Sequence, residues 1–278
     1  MNPTRFFKTL LRHTGLVVLA AVFVLPLAWV VAASLRAPGL PPPRTIEWLP
    51  NPVAWDNYLR IFELVPLIRY TLNSLIVVGL AVPITLVTAS WAGLALAQLP
   101  ADEREPLVRL SIVLLMVPPT AVWLGRFFLY KQLGLMNSVW ALVAPAFMGT
   151  TPFFVLLFYW TFRRFPTDLY DSARLDGANV LAVWRHIAFP LARPTAVGVA
   201  VLAFIFYWGD FFSPLLYLKS PGLYTLPVGL QLLQQMDRTN YPLLMAASVV
   251  TIAPVLLMFL ALQAVLLREA RLNGLFGR

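Results

Sequence analysis

The chain has 278 residues, 60% of them hydrophobic and only 12% charged, with a net charge of +9. That charged share is about half the usual one for a soluble domain and points to a membrane protein. The lack of cysteine excludes disulfides, thiolate nucleophiles and cysteine-ligated metals, and His13 and His186 are too far apart to form a clustered metal site. In such a chain the excess Lys and Arg reads as cytoplasmic-side charge that holds topology, not as a nucleic-acid surface.

A membrane-spanning helix needs about 20 mostly apolar residues. Six segments qualify: 14–35, 71–97, 107–130, 138–162, 195–218 and 243–267. The first is preceded by Arg5, Lys8 and Arg12, as a secretory leader would be. Its apolar run exceeds a leader's, and five further spans follow, so it reads as an uncleaved span. The expected organisation is a cytoplasmic tail over 1–13, the first span over 14–35 and an extracytoplasmic loop over 36–70. A core of spans then covers 71–267, and a short tail covers 268–278. The loop over 36–70 carries the proline-rich run "RAPGLPPPRTIEWLPNP" and is expected to be extended.

With the N-terminus inside, the inner loops and tails hold thirteen Lys/Arg and the outer ones hold eight, which favours both termini in the cytoplasm. Prolines such as Pro26, Pro83, Pro118, Pro119, Pro145 and Pro254 fall inside the spans, and proline frees a carbonyl and bends a helix. A kinked bundle is expected, although proline is common in membrane helices in any case.

The polar stretch "YDSARLDGANVLAVWRHIAFP" (170–190) lies in a cytoplasmic loop over 163–192. Thr167 is placed to cap a short helix, with Asp168 and Asp171 in the first turn, where negative charge suits the helix dipole. Gly177 ends that helix in the left-handed conformation. Asn179 caps a second helix, which sets Val180, Val183, Trp184 and Ile187 along one side and stops at Pro190. Small residues at Ser172, Ala173, Gly177 and Ala178 leave the backbone open to another protein. An interfacial helix resting on lipid headgroups fits the same physics equally well.

The pattern inside this stretch resembles the EAA loop of permease subunits in ABC importers. That pattern reads Glu-Ala-Ala, three residues, Gly, nine residues, Ile, one residue, Leu-Pro. Here it reads Asp171-Ser172-Ala173, then Gly177, Ile187 and Phe189-Pro190, with the spacing kept and three mild substitutions. "RLDGA" (174–178), "NYLRIF" from Asn57, "NSLIVV" from Asn73, "YWGDFFSPLLYL" (207–218) and "YTLPVGL" (224–230) resemble the carbohydrate-uptake branch. Gly209 stands where the branch usually has Asn.

The resemblance implies an all-α integral membrane protein with six transmembrane helices. It implies the type I ABC importer permease fold with a cytoplasmic coupling helix, in a bacterial or archaeal cytoplasmic membrane. The implied partners are a second permease subunit, two ATPase subunits and an extracytoplasmic solute-binding protein, with a sugar as solute. This chain contains no G-x-x-x-x-G-K-[ST] phosphate loop, so ATP and Mg²⁺ belong to the ATPase partner and no cofactor to this chain. Asp171, Ser172, Ala173, Asp176 and Gly177 are expected to contact the ATPase. Trp184, Ile187 and Pro190 are expected to anchor the loop, and the tail over 271–278 is a weaker candidate for the same interface.

For the solute pathway, Asp210 is an acid deep in a span, and Tyr207 and Trp208 beside it offer ring faces that suit a sugar. A structural Asp hydrogen-bonded between helices is an equal reading. Arg126 is expected to snorkel to the outer interface, and Asn73 and Ser74 to cap or join helices. A permease of the same architecture for glycerol phosphate, a polyamine or a peptide remains open, as does an ion-coupled secondary transporter. An anionic solute would call for a pathway cation, and Arg126 is the deep one. No paired catalytic carboxylates or nucleophile–base set marks an enzyme.

Overall fold

The computed structural model describes residues 3–45 and 47–276, with side chains for residues 11–45, 47–261 and 263. The described residues are helical with no strand, as the long apolar runs require. In chain order the helices are α1 (Pro3–Ser34), α2 (Asn57–Leu64), α3 (Leu67–Gln98), α4 (Ala101–Leu115) and α5 (Pro119–Gln132). Next come α6 (Val139–Val143), α7 (Pro152–Phe162), α8 (Thr167–Leu175), α9 (Val180–Val183) and α10 (Phe189–Leu191). The last four are α11 (Arg193–Trp208), α12 (Phe212–Tyr217), α13 (Leu226–Met236) and α14 (Tyr241–Phe276).

Among the described residues, four helical stretches are long and apolar enough to cross a membrane: Leu11–Ser34, Leu67–Gln98, Val139–Phe162 and Tyr241–Ala261. Two bent pairs raise the number to as many as six. α4 and α5 meet at 99°, and the stretch Val180–Leu191 meets α11 at 83°. The third expected span is therefore not one rod over 107–130. It begins at Ala101 and turns where Pro118 and Pro119 cannot continue the helical hydrogen bonding. The fifth expected span also breaks, at residues 209–211, between α11 and α12. The side chains of the C-terminal tail over 271–278 lie outside the described residues, as do those of Arg5 and Lys8.

The chain packs as two units. One runs up to Ile68 and includes Gly229–Pro254. Its key polar residue is Asn57, fully buried, whose amide nitrogen donates to the carbonyls of Ser34 and Arg36, each at 2.8 Å. Those carbonyls belong to the end of α1, where no intrahelical donor remains. Around them Ala54 N–H donates to Leu35 O at 2.8 Å, Ser34 Oγ meets the Tyr58 hydroxyl at 2.7 Å, and Arg36 Nε pairs with Glu47 at 2.9 Å. The proline-rich loop is thus folded back onto the end of α1. Most of the α1 side chains between Leu16 and Leu25 are exposed and apolar, as suits a helix facing lipid or another subunit.

The other unit spans Arg69–Val228 and the chain from Val255 on. Its core joins Ala89 and Leu94 of α3 to Phe154, Phe158 and Phe162 of α7 and to Ala196, Val199 and Ala203 of α11. The α3–α7 contact is set by Gly93. A Cβ there would stand 2.6 Å from Phe158 Cβ and 2.8 Å from the Tyr159 nitrogen. Ala89, Gly93 and Ala97 recur every four residues, the small-residue stripe that lets membrane helices approach closely. Asn137, at φ 58°, clamps the far end of the unit. Its side-chain oxygen accepts from the Lys219 and Ser220 N–H groups at 2.9 and 2.8 Å.

Gly93→Ala should cost about 1–3 kcal/mol through overpacking against backbone that cannot retreat. Gly79→Ala, with nothing within 4 Å of the new methyl, should be neutral or mildly stabilising. Thermal unfolding of the purified protein in detergent separates the two. Asn57→Ala leaves two buried carbonyls without a donor and should cost roughly 1–3 kcal/mol. Limited proteolysis should then cut faster within the loop over 36–56.

Candidate functional site

Two regions of the second unit carry the polar chemistry. One is the loop over 163–192. Pro166, not Thr167, occupies the N-cap of α8, and no side chain caps there. Thr167 is the first helical residue, because the proline before it fixes the extended entry and starts the helix one residue sooner than expected. At the other end the Gly177 N–H donates to Arg174 O and the Ala178 N–H to Ala173 O, each at 3.0 Å, with Gly177 at φ +82°. This is a Schellman closure, and it needs the left-handed residue that glycine supplies. Asn179 then caps α9, its side-chain oxygen accepting from Ala182 N–H at 2.8 Å.

The second helix does not stop at Pro190. A π-helical turn over Trp184–Ala188 runs into α10, and the break falls at Ala192, between Pro190 and Pro194. Pro190 has no N–H for the His186 carbonyl, and the wider π-turn before it absorbs that loss. Nor do all four expected residues share one packed side: Val183 is buried, Trp184 and Ile187 pack against the core, and Val180 is 70% exposed.

The loop presents two faces. Asp171, Ser172, Asp176 and Gly177 are exposed, whereas Ala173 is buried with Tyr170 against α3 and α7. Burial pushes the Tyr170 hydroxyl pKa up, and that hydroxyl has no hydrogen-bond partner. Arg174 bonds Gln98 at the end of α3 and reaches Asp171 at 3.4 Å, a long and exposed pair worth little. Trp184 is the firm attachment. Its indole N–H donates to Ser90 Oγ at 3.0 Å, and its ring meets Trp91 edge-on at 5.5 Å and Phe189 at 5.3 Å. Ile187 and the half-buried Pro190 complete that side. Ser90 and Gln98 did not stand out in the sequence. The signal for them is a polar residue inside, or ending, an apolar span.

The second region is a cavity of about 520 Å³. Its lining includes Val117 and Pro119 at the α4–α5 bend, Thr150 and Thr151 before α7, and Gly209 and Asp210 after α11. Three helix breaks thus converge on one space. Non-helical backbone is tolerated at membrane depth where it is buried in protein or lines a wet cavity. Thr150 holds a left-handed φ of 64°, which costs a β-branched residue energy. Its hydroxyl meets that of Thr85 at 2.6 Å and that of Tyr207 at 2.8 Å.

The structure thus brings Tyr207 and Asp210 together at the cavity. Trp208 is absent from its lining: it is buried and stacks on Phe204 with centroids 5.5 Å apart. Asp210 Oδ1 accepts the Ser213 N–H at 3.0 Å as α12 begins. Arg126 does not simply snorkel outward; it lines the cavity from α5, on the same helix as Trp123, whose ring lies 4.8 Å from that of Phe212. Asn73 and Ser74 lie elsewhere. Asn73 donates to the carbonyls of Gly222 and Tyr224, and Ser74 Oγ accepts from Leu226 N–H. Among the described residues no group of acidic or His side chains could hold a metal ion.

The fold and sequence have clear relatives. In Agrobacterium fabrum, the sulfoquinovosyl glycerol transport system permease protein SmoH is 29% identical over 267 residues, covering 96% of this chain and 94% of that protein. The arabinooligosaccharides transport system permease protein AraQ of Halalkalibacterium halodurans is 30% identical over 267 residues, covering 95% of each. A chain in the crystal structure of a bacterial ABC transporter that imports the acidic polysaccharide alginate superposes with a TM-score of 0.73 at 18% identity. The superposition covers 95% of this chain and 98% of that one and shows the shared fold. The model of the binding-protein-dependent transport system inner membrane component matches residues 65–272, and the chain therefore belongs to that family of multi-pass permease subunits.

Proposed function

We propose that the chain is the permease subunit of an ABC importer for a sugar or oligosaccharide, driven by ATP hydrolysis on a separate subunit. The observation that carries the reading is the two-faced loop over 163–192, polar and open on one side and pinned to α3 and α7 on the other. The names of SmoH and AraQ, both sugar-linked transport permeases, support the substrate class.

In this reading α8 is the coupling helix, α4 with α5 counts as one span and α11 begins another after the loop, giving six with both termini in the cytoplasm. Asp171, Ser172, Asp176 and Gly177 meet the ATPase, while Ala173 belongs to the packed side with Trp184, Ile187 and Pro190. Closure of two ATPase subunits around Mg²⁺ and ATP pushes α8. Trp184 on Ser90 and Arg174 on Gln98 pass that push to α3. A second permease subunit completes the pathway, and an extracytoplasmic binding protein delivers the solute. The cavity beside Tyr207 and Asp210 is where this subunit meets it. This chain moves solute and performs no catalysis.

Gly177 gives a test with a built-in control. No atom lies within 4 Å of a Cβ at this position, so the subunit itself has room for a side chain. Gly177→Asn, which tolerates the left-handed backbone, should keep most transport. Gly177→Trp should assemble in the membrane but lose uptake by about tenfold or more, with weakened ATPase copurification. Equal uptake by the two variants would sink the docking role of α8.

A further inference from the structure

The cavity holds one side chain of each charge, and neither has an ion-pair partner among the described residues. Asp210 has the Ser213 N–H on one oxygen. Arg126 is half-buried, and the ion pairs among the described residues, Arg36–Glu47, Arg109–Glu105 and Arg174–Asp171, do not include it. Its neighbour on the protein side is the fully buried Tyr217 hydroxyl, a neutral group that its guanidinium reaches by charge and by a side-chain hydrogen bond. A half-buried guanidinium without a carboxylate partner within ion-pair distance carries a desolvation cost, and an ionised side chain held within a membrane bundle marks a functional position.

The chemistry of that position is specific. Guanidinium presents parallel N–H donors that fit the oxygens of a carboxylate, sulfonate or sulfate in pairs. A neutral sugar offers only hydroxyl dipoles and leaves the charge of Arg126 unmatched. The Trp123–Phe212 pair lies along the same wall and offers a ring face for the apolar side of a pyranose. Asp210 accepts hydroxyl hydrogens through its second oxygen and repels an acid group placed at its own end, so the two charges orient the solute.

Resting on the sugar-import reading, we infer that the sugar this permease passes carries an acidic substituent and that Arg126 is the residue that selects it. Arg126, without a carboxylate partner, is a specificity-determining residue, and Asp210 sets direction.

The test is uptake by the whole transporter, reconstituted with its own partner subunits and binding protein in proteoliposomes. Initial rates are compared for a radiolabelled glucuronic acid glycoside, a 6-sulfonated glucoside and the neutral glucoside. The wild type should favour at least one acidic probe by about tenfold. Arg126→Gln should reduce that acid-to-neutral ratio by about tenfold, Arg126→Lys should hold it within roughly threefold, and Asp210→Asn should not lower it. An assembled, ATP-hydrolysing Arg126→Gln complex with an unchanged ratio overturns the inference and leaves sugar import standing, because selection then lies in the binding protein. A wild type that favours the neutral probe overturns it too. If the wild type takes up none of the three probes yet transports a non-sugar solute, the sugar reading fails and this inference with it. Should Arg126→Gln fail to assemble, a fall in ratio in Asp210→Asn still overturns the inference, and a rise supports it.

Discussion

The close approach of α3 and α7 at Gly93 is the contact on which the second unit depends. With a Cβ absent at that point, the Phe158 Cβ and the Tyr159 backbone press directly on α3. In lipid there is no hydrophobic gain from burying an apolar helix face, so close packing and hydrogen bonds must supply the association. Two sets of polar contacts in this unit are then hung on α3. Thr85 and Thr88, just past the middle of α3, hold the turn before α7, through Thr150 and the Ala146 carbonyl. Ser90, two residues on, and Gln98, the last residue of α3, hold the loop through Trp184 and Arg174.

Thr85 and Gln98 are thirteen positions apart on one helix, a distance of roughly 20 Å at the helical rise of 1.5 Å per residue. A helix over that length is stiff compared with the loops it joins. A displacement of α8 is therefore borne by Trp184 and Arg174 onto α3, and the first non-helical backbone it meets is the left-handed pair Gly149–Thr150. Thr150 is strained and is held by hydroxyls of Thr85 and Tyr207 rather than by helical bonds. A β-branched residue in that conformation persists only where its surroundings over-determine it. That cost sits in the wall of the cavity.

The sequence made the spans legible because a run of apolar residues has no other stable use at that length. It made Gly177 and Asn179 legible because left-handed closure and N-capping are local, decided within a few residues. What it hid was decided by neighbours. Thr167 lost the cap to Pro166, a competition between adjacent residues that residue preferences alone do not resolve. Val180, the first residue of α9, stays exposed although Val183 and Trp184 three and four residues on pack inward, because helical spacing alone does not say how far the neighbouring element reaches. Trp208 and Tyr207 are adjacent on a helix and so point about 100° apart, and only one of them could face the cavity. Ser90 gave only the weak signal of a lone serine in an apolar span, which takes its meaning from the indole that meets it.

The polar breaks show why fold and function are hard to separate in such a chain. A soluble protein can place an irregular segment anywhere on its surface, where water satisfies the backbone. Here water is absent from most of the surface, so each interruption must either be buried or face a wet interior. Bends at residues 116–118, 149–151 and 209–211 all border the same cavity. Straightening any of them would remove an unsatisfied-backbone problem, and it would also remove the lining that supplies Thr150 and Asp210. The composition of the spans dictates helices, and the cavity is built where the chain departs from that dictate.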